Sequence, residues 1–173
     1  MARVDHLIVS DDALISQCEV DRYRASGPGG QHRNKTESAV RLRHKLTGVS
    51  AIGEDSRSQA ENKMHAVRRL RSAIALELRE LVGLEHFTPS ARLAAMVAGG
   101  TGPLGQKTRL TGEYWAAMAE LLDLLVAGDL EIGTTAQRLG ITTGAMSKLL
   151  LHDEHVGRVV NDLRRAKGMR PLR

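Results

Sequence analysis

Hydrophobic and polar positions change period along this chain, and the changes divide it. From Cys18 to Arg24 charged residues interleave with Val20 and Tyr23, and the segment runs directly into Ser26-Gly27-Pro28-Gly29-Gly30. This pattern predicts a strand leading into a loop. Val40, Leu42 and Leu46 then share one parity and Arg41, Arg43 and Lys45 the other, before Thr47-Gly48 and a short apolar run from Val49 to Ile52. Alternation on both sides of a glycine turn predicts a hairpin with one buried face and one basic face.

The period then lengthens. Ser58-Gln59-Ala60-Glu61 has the spacing of a capping box, in which the Ser58 hydroxyl and the Glu61 side chain satisfy the orphan amides of a helix start. Behind it Ala60, Met64, Val67, Ile74, Leu78 and Leu81 recur at three- and four-residue intervals, with Gly83 as the expected stop. The stretch 88–112 turns rich in Gly, Thr, Ala and Pro around Gly99-Gly100-Thr101-Gly102-Pro103 and reads as a linker. Beyond it helices are expected over Tyr114 to Ala127, Thr134 to Leu139, Thr143 to Leu151 and Glu154 to Lys167, leaving the Arg- and Lys-rich residues 164–173 as a basic tail. The expected fold is α+β: a small sheet with a glycine loop and a covering amphipathic helix over 1–87, then a linker over 88–112, then a helical, helix-turn-helix-like module over 113–173.

Composition narrows the function. With 42% hydrophobic and 26% charged residues the chain should fold rather than stay disordered. A net charge of +5 favours a polyanionic partner, and the excess is concentrated between Arg22 and Arg79, where basic residues far outnumber Glu37, Glu54, Asp55, Glu61 and Glu77. Aromatic residues make up only 2% of the chain, too few to read single-stranded bases by stacking, so phosphate contact is the expected mode. Cys18 is the only cysteine, which leaves no disulfide framework and no CxxC zinc pair, and no signal peptide or membrane-length apolar run is visible. A cytoplasmic location with no membrane partner is expected.

The chemistry concentrates in Arg24-Ala25-Ser26-Gly27-Pro28-Gly29-Gly30-Gln31-His32-Arg33-Asn34-Lys35-Thr36-Glu37-Ser38-Ala39-Val40-Arg41. Glycines at 27, 29 and 30 remove side-chain bulk, so backbone can approach a ligand closely, and one polar amide, Gln31, follows them among flanking cations. On residue types alone this is a loop suited to orienting water or phosphate in an anionic setting, and a plain glycine turn with solvated charges remains open. The full string closely resembles the catalytic domain of the class I peptide-chain release factors, whose GGQ loop continues through a stretch like HVNKTESAVR, here His32 to Arg41. Asp55-Ser56-Arg57-Ser58-Gln59 and the basic helix behind it are similar to the family's continuation, so the resemblance covers roughly Cys18 to Leu81. Arg33 is the one departure noticed, at a position where an apolar residue is commoner.

That resemblance implies release of the nascent polypeptide by hydrolysis of the peptidyl-tRNA ester in the large subunit's peptidyl-transferase centre. Gly29, Gly30 and Gln31 would be catalytic: the Gln31 backbone amide would stabilise developing charge, its side chain would position the water, and a glutamine methyltransferase could modify it. Arg24, His32, Arg33, Asn34, Lys35 and Arg41 would contact ribosomal RNA, with no metal and no cofactor. At this length no codon-reading domain is expected beside the motif, and the expected layout resembles the short hydrolases that rescue stalled ribosomes independently of a codon. A non-catalytic ribosome- or RNA-binding factor stays open as an alternative.

Three further motifs compete. Thr134 to Leu149 resembles a helix-turn-helix, with Ala136 in the first helix and Gly140 at the turn, which opens a nucleic-acid-binding regulator; Lys148, Arg158, Arg164 and Arg165 are its candidate contacts. Gly29 to Thr36 nearly fits the phosphate-loop pattern, but Asn34 stands where glycine is required and the following hairpin does not suit a doubly wound sheet. His152 and His155, three residues apart without a third ligand, read as a solvated helix end rather than a metal pair.

Overall fold

The computed structural model describes residues 2–24, 37–99 and 111–173. Its internal contacts separate into two units, Met1–Glu77 and Leu78–Arg173.

In the first unit two short helices, α1 (Arg3–Leu7) and α2 (Asp11–Ser16), precede β1 (Cys18–Tyr23), β2 (Ala39–His44) and β3 (Ser50–Gly53), and the long α3 (Gln59–Glu77) follows. The strands form an antiparallel sheet in the order β1-β2-β3. Register runs from Cys18 opposite His44 to Tyr23 opposite Ala39, and from Val40 opposite Gly53 to Arg43 opposite Ser50. In β2 the expected alternation holds, with Val40 and Leu42 buried and Arg41 and Arg43 exposed. Helix α3 lies over β2 and β3, and Leu7, Leu14, Leu42, Leu70 and Ile74 form the fully buried core. The fold is α+β, as the two periods imply.

Leu46 and Leu81 leave the pattern where their elements end. Leu46, expected on the buried parity, is 71% exposed. The strand ends at His44, which is bonded to Val49 and Gly48, and the chain turns through Gly48 at φ +73°, so Leu46 sits at the turn. Leu81, expected on the helix face, is fully exposed because α3 stops at Glu77 rather than at Gly83.

The buried face of α3 also differs from a purely apolar reading. It comprises Asn62, Ala66, Val67, Leu70, Arg71, Ile74 and Ala75, while Ala60 and Met64 are exposed. Arg71 can be buried because both terminal nitrogens of its guanidinium meet acceptors: Nη1 the carbonyls of Leu7 and Val9 (3.0 Å for the latter) and Nη2 Asp11 Oδ1 at 2.7 Å. At the helix start half of the capping box forms. Glu61 N donates to Ser58 Oγ at 3.3 Å, but the Glu61 carboxylate accepts from the Ser56 hydroxyl instead of turning back to the cap.

The second unit is helical: α4 (Ala91–Gly99), α5 (Gly112–Ala127), α6 (Ile132–Arg138), α7 (Thr143–Leu151) and α8 (Glu154–Ala166). Within the stretch read as linker, Ala91–Gly99 is helix. It starts behind Ser90, whose hydroxyl accepts from Leu93 N at 3.3 Å, and buries Leu93 and Met96 in its packing against α5. Helix α5 is buried along most of its length. Asp129 and Leu130 follow it at φ +56° and +63°, left-handed values that cost a non-glycine residue of order 1 kcal/mol each. Burial of Leu130, donation from Arg164 to its carbonyl, and a Lys167–Asp129 pair at 2.7 Å hold that turn.

Helices α6 and α7 are joined through Gly140 at φ +68°, and Thr142 Oγ1 caps α7 by accepting from Ala145 N at 3.1 Å. Asp153, between His152 and His155, caps α8 by accepting from His155 N at 2.9 Å and Val156 N at 3.3 Å. Of the residues read as a basic tail, the first three belong to α8 and the end of the rest turns back onto it. Asn161 exchanges bonds with both the amide (2.7 Å) and the carbonyl (3.3 Å) of Leu172. Among the described residues no helix is long and apolar enough to cross a membrane.

Candidate functional site

Gly29, Gly30, Gln31, His32, Arg33, Asn34 and Lys35 lie outside the described residues. What the structure gives is the frame from which they hang. The segment 24–38 connects β1 to β2, whose last residue pair is Tyr23 with Ala39. Because these strands are hydrogen-bonded neighbours, the two ends of the segment are held only about 5 Å apart at the end of the sheet.

Each stem of this connection is tied. Arg24 Nε lies 3.7 Å from Glu37 Oε1 across its base, both side chains more than half exposed, so the pair is worth about 1 kcal/mol or less. The returning stem is held more firmly by the first turn of α3. Gln59 Nε2 donates to the Glu37 carbonyl at 2.8 Å, and Asn62 Nδ2 donates to the Ser38 carbonyl at 2.8 Å. The same Asn62 amide donates to the Ser56 carbonyl and accepts from Ser56 N, each at 2.8 Å. Neither Gln59 nor Asn62 is visible as a site residue in the sequence; the signals are the Ser-x-x-Glu cap that places both at a helix start and, for Gln59, the Asp55 to Gln59 string that resembles the family.

The connector before α3 is fixed by a second cluster. Arg69 donates to the Ile52 carbonyl at 2.8 Å and to Asp55 at 2.9 Å, and His65 Nδ1 lies 3.1 Å from Asp55. Hydrogen bonds from Arg69 and then His65 lower the Asp55 pKa to about 2. At the opposite end of the hairpin, His44 Nε2 faces Gln17 Oε1 at 3.0 Å, His6 Nδ1 faces the same oxygen at 2.8 Å, and His44 Nδ1 faces Thr47 Oγ1 at 2.9 Å. An amide oxygen only accepts, so both histidines donate to it and His44 Nδ1 takes the Thr47 proton. Burial first, and His6 second, hold the His44 pKa below its ordinary 6.5. His44 is thus a structural residue. Cys18 is one as well: its thiol donates to the Leu14 carbonyl at 3.1 Å, and burial pushes its pKa up.

The candidate cations fall into two groups. In the first unit Arg24 and Arg41 are exposed, Arg41 on the outer face of β2 with both Nε (3.1 Å) and Nη2 (2.8 Å) on Asp21. In the second unit Lys148 is exposed on α7, and Arg158 is exposed and paired with Glu154 at 2.6 Å. Arg164 donates to the Leu130 and Arg170 carbonyls, and Arg165 pairs with Asp162. The purely antiparallel sheet is unlike the parallel, doubly wound sheet that carries a nucleotide phosphate loop.

Comparison with known proteins decides the family. The model of the RF-1 domain matches residues 13–108, which include the whole β1–β2 connection and the helix that ties it. The chain belongs to the class I peptide-chain release factor family. Peptide chain release factor 1 of Ureaplasma parvum serovar 3 is 49% identical over 148 residues, covering 80% of this chain and 40% of that protein. Peptide chain release factor 1 of Chlamydia pneumoniae is 36% identical over 141 residues, 78% of this chain and 37% of that protein. Peptide chain release factor 2 of Corynebacterium diphtheriae is 37% identical over 107 residues, 62% of this chain and 26% of that protein. The chain therefore spans two fifths or less of the length of these release factors.

Proposed function

We propose that this chain hydrolyses the peptidyl-tRNA ester on the ribosome, with Gly29, Gly30 and Gln31 as its catalytic residues. The observation that carries the reading is the position of the tripeptide: inside the span matched by the family, on a connection whose two ends are paired in one sheet and whose returning end is tied to one helix. A loop hung in this way presents a fixed base from which its tip enters another molecule's active centre. There the Gln31 backbone amide would donate to the oxygen that gains negative charge, and the side-chain amide would hold the attacking water. A donor fixed at such a point contributes about 3 to 4 kcal/mol of transition-state stabilisation. The ribosome supplies the remainder of the site.

In this reading Arg24, His32, Arg33, Asn34, Lys35 and Arg41 contact ribosomal RNA. Arg41 can do so by exchanging its exposed Asp21 partner for phosphate, since an exposed pair is held by about 1 kcal/mol or less. A glutamine methyltransferase acting on Gln31 is the modifying partner this chemistry implies. We read the release as codon-independent rescue of stalled ribosomes; the order of parts supports it, a release-type hairpin leading within this chain into a helical unit with exposed cations at Lys148, Arg158 and Arg170.

The test is peptide release from purified ribosomes carrying peptidyl-tRNA on truncated, intact or stop-codon mRNA. Release without a stop codon is expected, and strict dependence on the stop codon would reject the rescue reading while keeping the chemistry. A second reading rests on the Thr142-capped α7, whose Thr143, Gly144, Ala145 and Lys148 are exposed: that helix would enter a nucleic-acid groove. Tighter binding of the full chain to duplex DNA than to ribosomal RNA would favour it.

A further inference from the structure

We infer that Asn62, seconded by Gln59, is a positioning residue for peptide release: its buried amide sets where the returning stem of the Gln31 segment leaves the sheet. The inference rests on the hydrolase reading above and names the part of the fold that reading needs. Asn62 is fully buried on the first turns of α3. Its amide orientation is unambiguous, because Nδ2 faces two carbonyls, those of Ser38 and Ser56, while Oδ1 faces the Ser56 amide hydrogen. No other residue type fills this role in the same space. Asp cannot donate to the two carbonyls, and an apolar residue would leave the Ser38 carbonyl, the Ser56 carbonyl and the Ser56 N–H without their partner.

The tie joins three segments far apart in sequence: the stem at Ser38, the connector at Ser56 and the helix. The helix itself has little room to shift there, because Gly53 of β3 approaches the Asn62 backbone so closely that a Cβ would run into the Asn62 carbonyl. Gln59, one turn earlier, holds the neighbouring Glu37 carbonyl from the same helix. Two successive carbonyls of the stem are thus fixed to a rigid element. Catalysis by an oriented amide is sensitive to such placement, since a displacement of about 1 Å can cost on the order of a hundred-fold in rate.

The test measures single-turnover release on purified ribosomes, giving a rate at saturation and a half-saturating concentration separately, for the full chain and four variants. Asn62→Ala should lower the saturating rate by about ten- to a hundred-fold while ribosome affinity stays within about two-fold. Gln59→Ala should lower the rate by several-fold in the same manner. Val67→Ala, which thins the buried face of the same helix without touching the stem, should keep the wild-type rate. A folded Asn62→Ala protein with the wild-type saturating rate overturns the inference, as does a change confined to affinity. If Asn62→Ala does not fold, Gln59→Ala decides by the same two criteria. Loss of release in Gln31→Ala alone, with Asn62→Ala and Gln59→Ala unaffected, rejects positioning and keeps the hydrolase reading; wild-type release by Gln31→Ala removes both.

Discussion

The two units bury polar groups for different purposes. In Met1–Glu77, alongside the buried Arg3, the buried polar residues Arg71, Asn62, His44 and His6 reach partners in distant segments: Arg71 binds residues 7, 9 and 11, Asn62 binds residue 38, and both histidines meet at Gln17. In Leu78–Arg173 the buried Asp153 and Thr135 bond locally, Asp153 as the cap of α8 and Thr135 to the Glu131 carbonyl four residues back. Asp123, which accepts from Arg79 and Glu80, is the long-range exception. Long-range ties fix where segments stand relative to one another, and local ones fix where helices begin. The first kind predominates in the unit that carries the β1–β2 connection.

Removing the longest tie should break this contrast most visibly. Arg71→Met should destabilise the first unit by about 3 kcal/mol, because Asp11 and two carbonyls lose their partner. Urea denaturation checks this, and a loss below about 1 kcal/mol would show the tie to be incidental. Gly53→Ala should cost about 2 kcal/mol by driving a methyl against the Asn62 backbone, read from the same denaturation curves. In the second unit Asp153→Ala should cost only about 1 kcal/mol, the usual value of an N-cap, and lower the helical circular dichroism little.

The smallest effect is in pH. His44 has a folded pKa below its unfolded value, so the unfolded chain binds more protons between the two. Stability is then fully present above about pH 7 and falls as pH drops through 6.5 towards the folded value, by at most about 1.4 kcal/mol per pH unit. Denaturation midpoints at pH 7.5 and 5.5 should differ accordingly, and His44→Gln should flatten the difference.

The same contrast explains what could be read from the sequence. Expected helices Tyr114 to Ala127, Thr134 to Leu139, Thr143 to Leu151 and Glu154 to Lys167 correspond to Gly112–Ala127, Ile132–Arg138, Thr143–Leu151 and Glu154–Ala166, because caps and apolar spacing are local signals. Helix α4 was hidden by its Ala- and Gly-rich composition, although Ser90 followed by Leu93 and Met96 carries a cap and a three-residue spacing. Strand β2 was legible by alternation, whereas Leu46 and Leu81 were not, since hydrophobicity does not mark where a strand or helix stops. The tripeptide of the candidate site was legible as a string. Its supports were not, because Asn62 and Arg71 are polar residues on a buried face, and only their distant partners account for their burial.

The proposed chemistry centres on Gln31. Single-turnover peptide release by Gln31→Ala, measured beside its ribosome affinity, tests it most directly. Release slower by roughly a hundred-fold or more at nearly unchanged affinity is the predicted result. Equal release rates for the wild type and the variant would contradict the account.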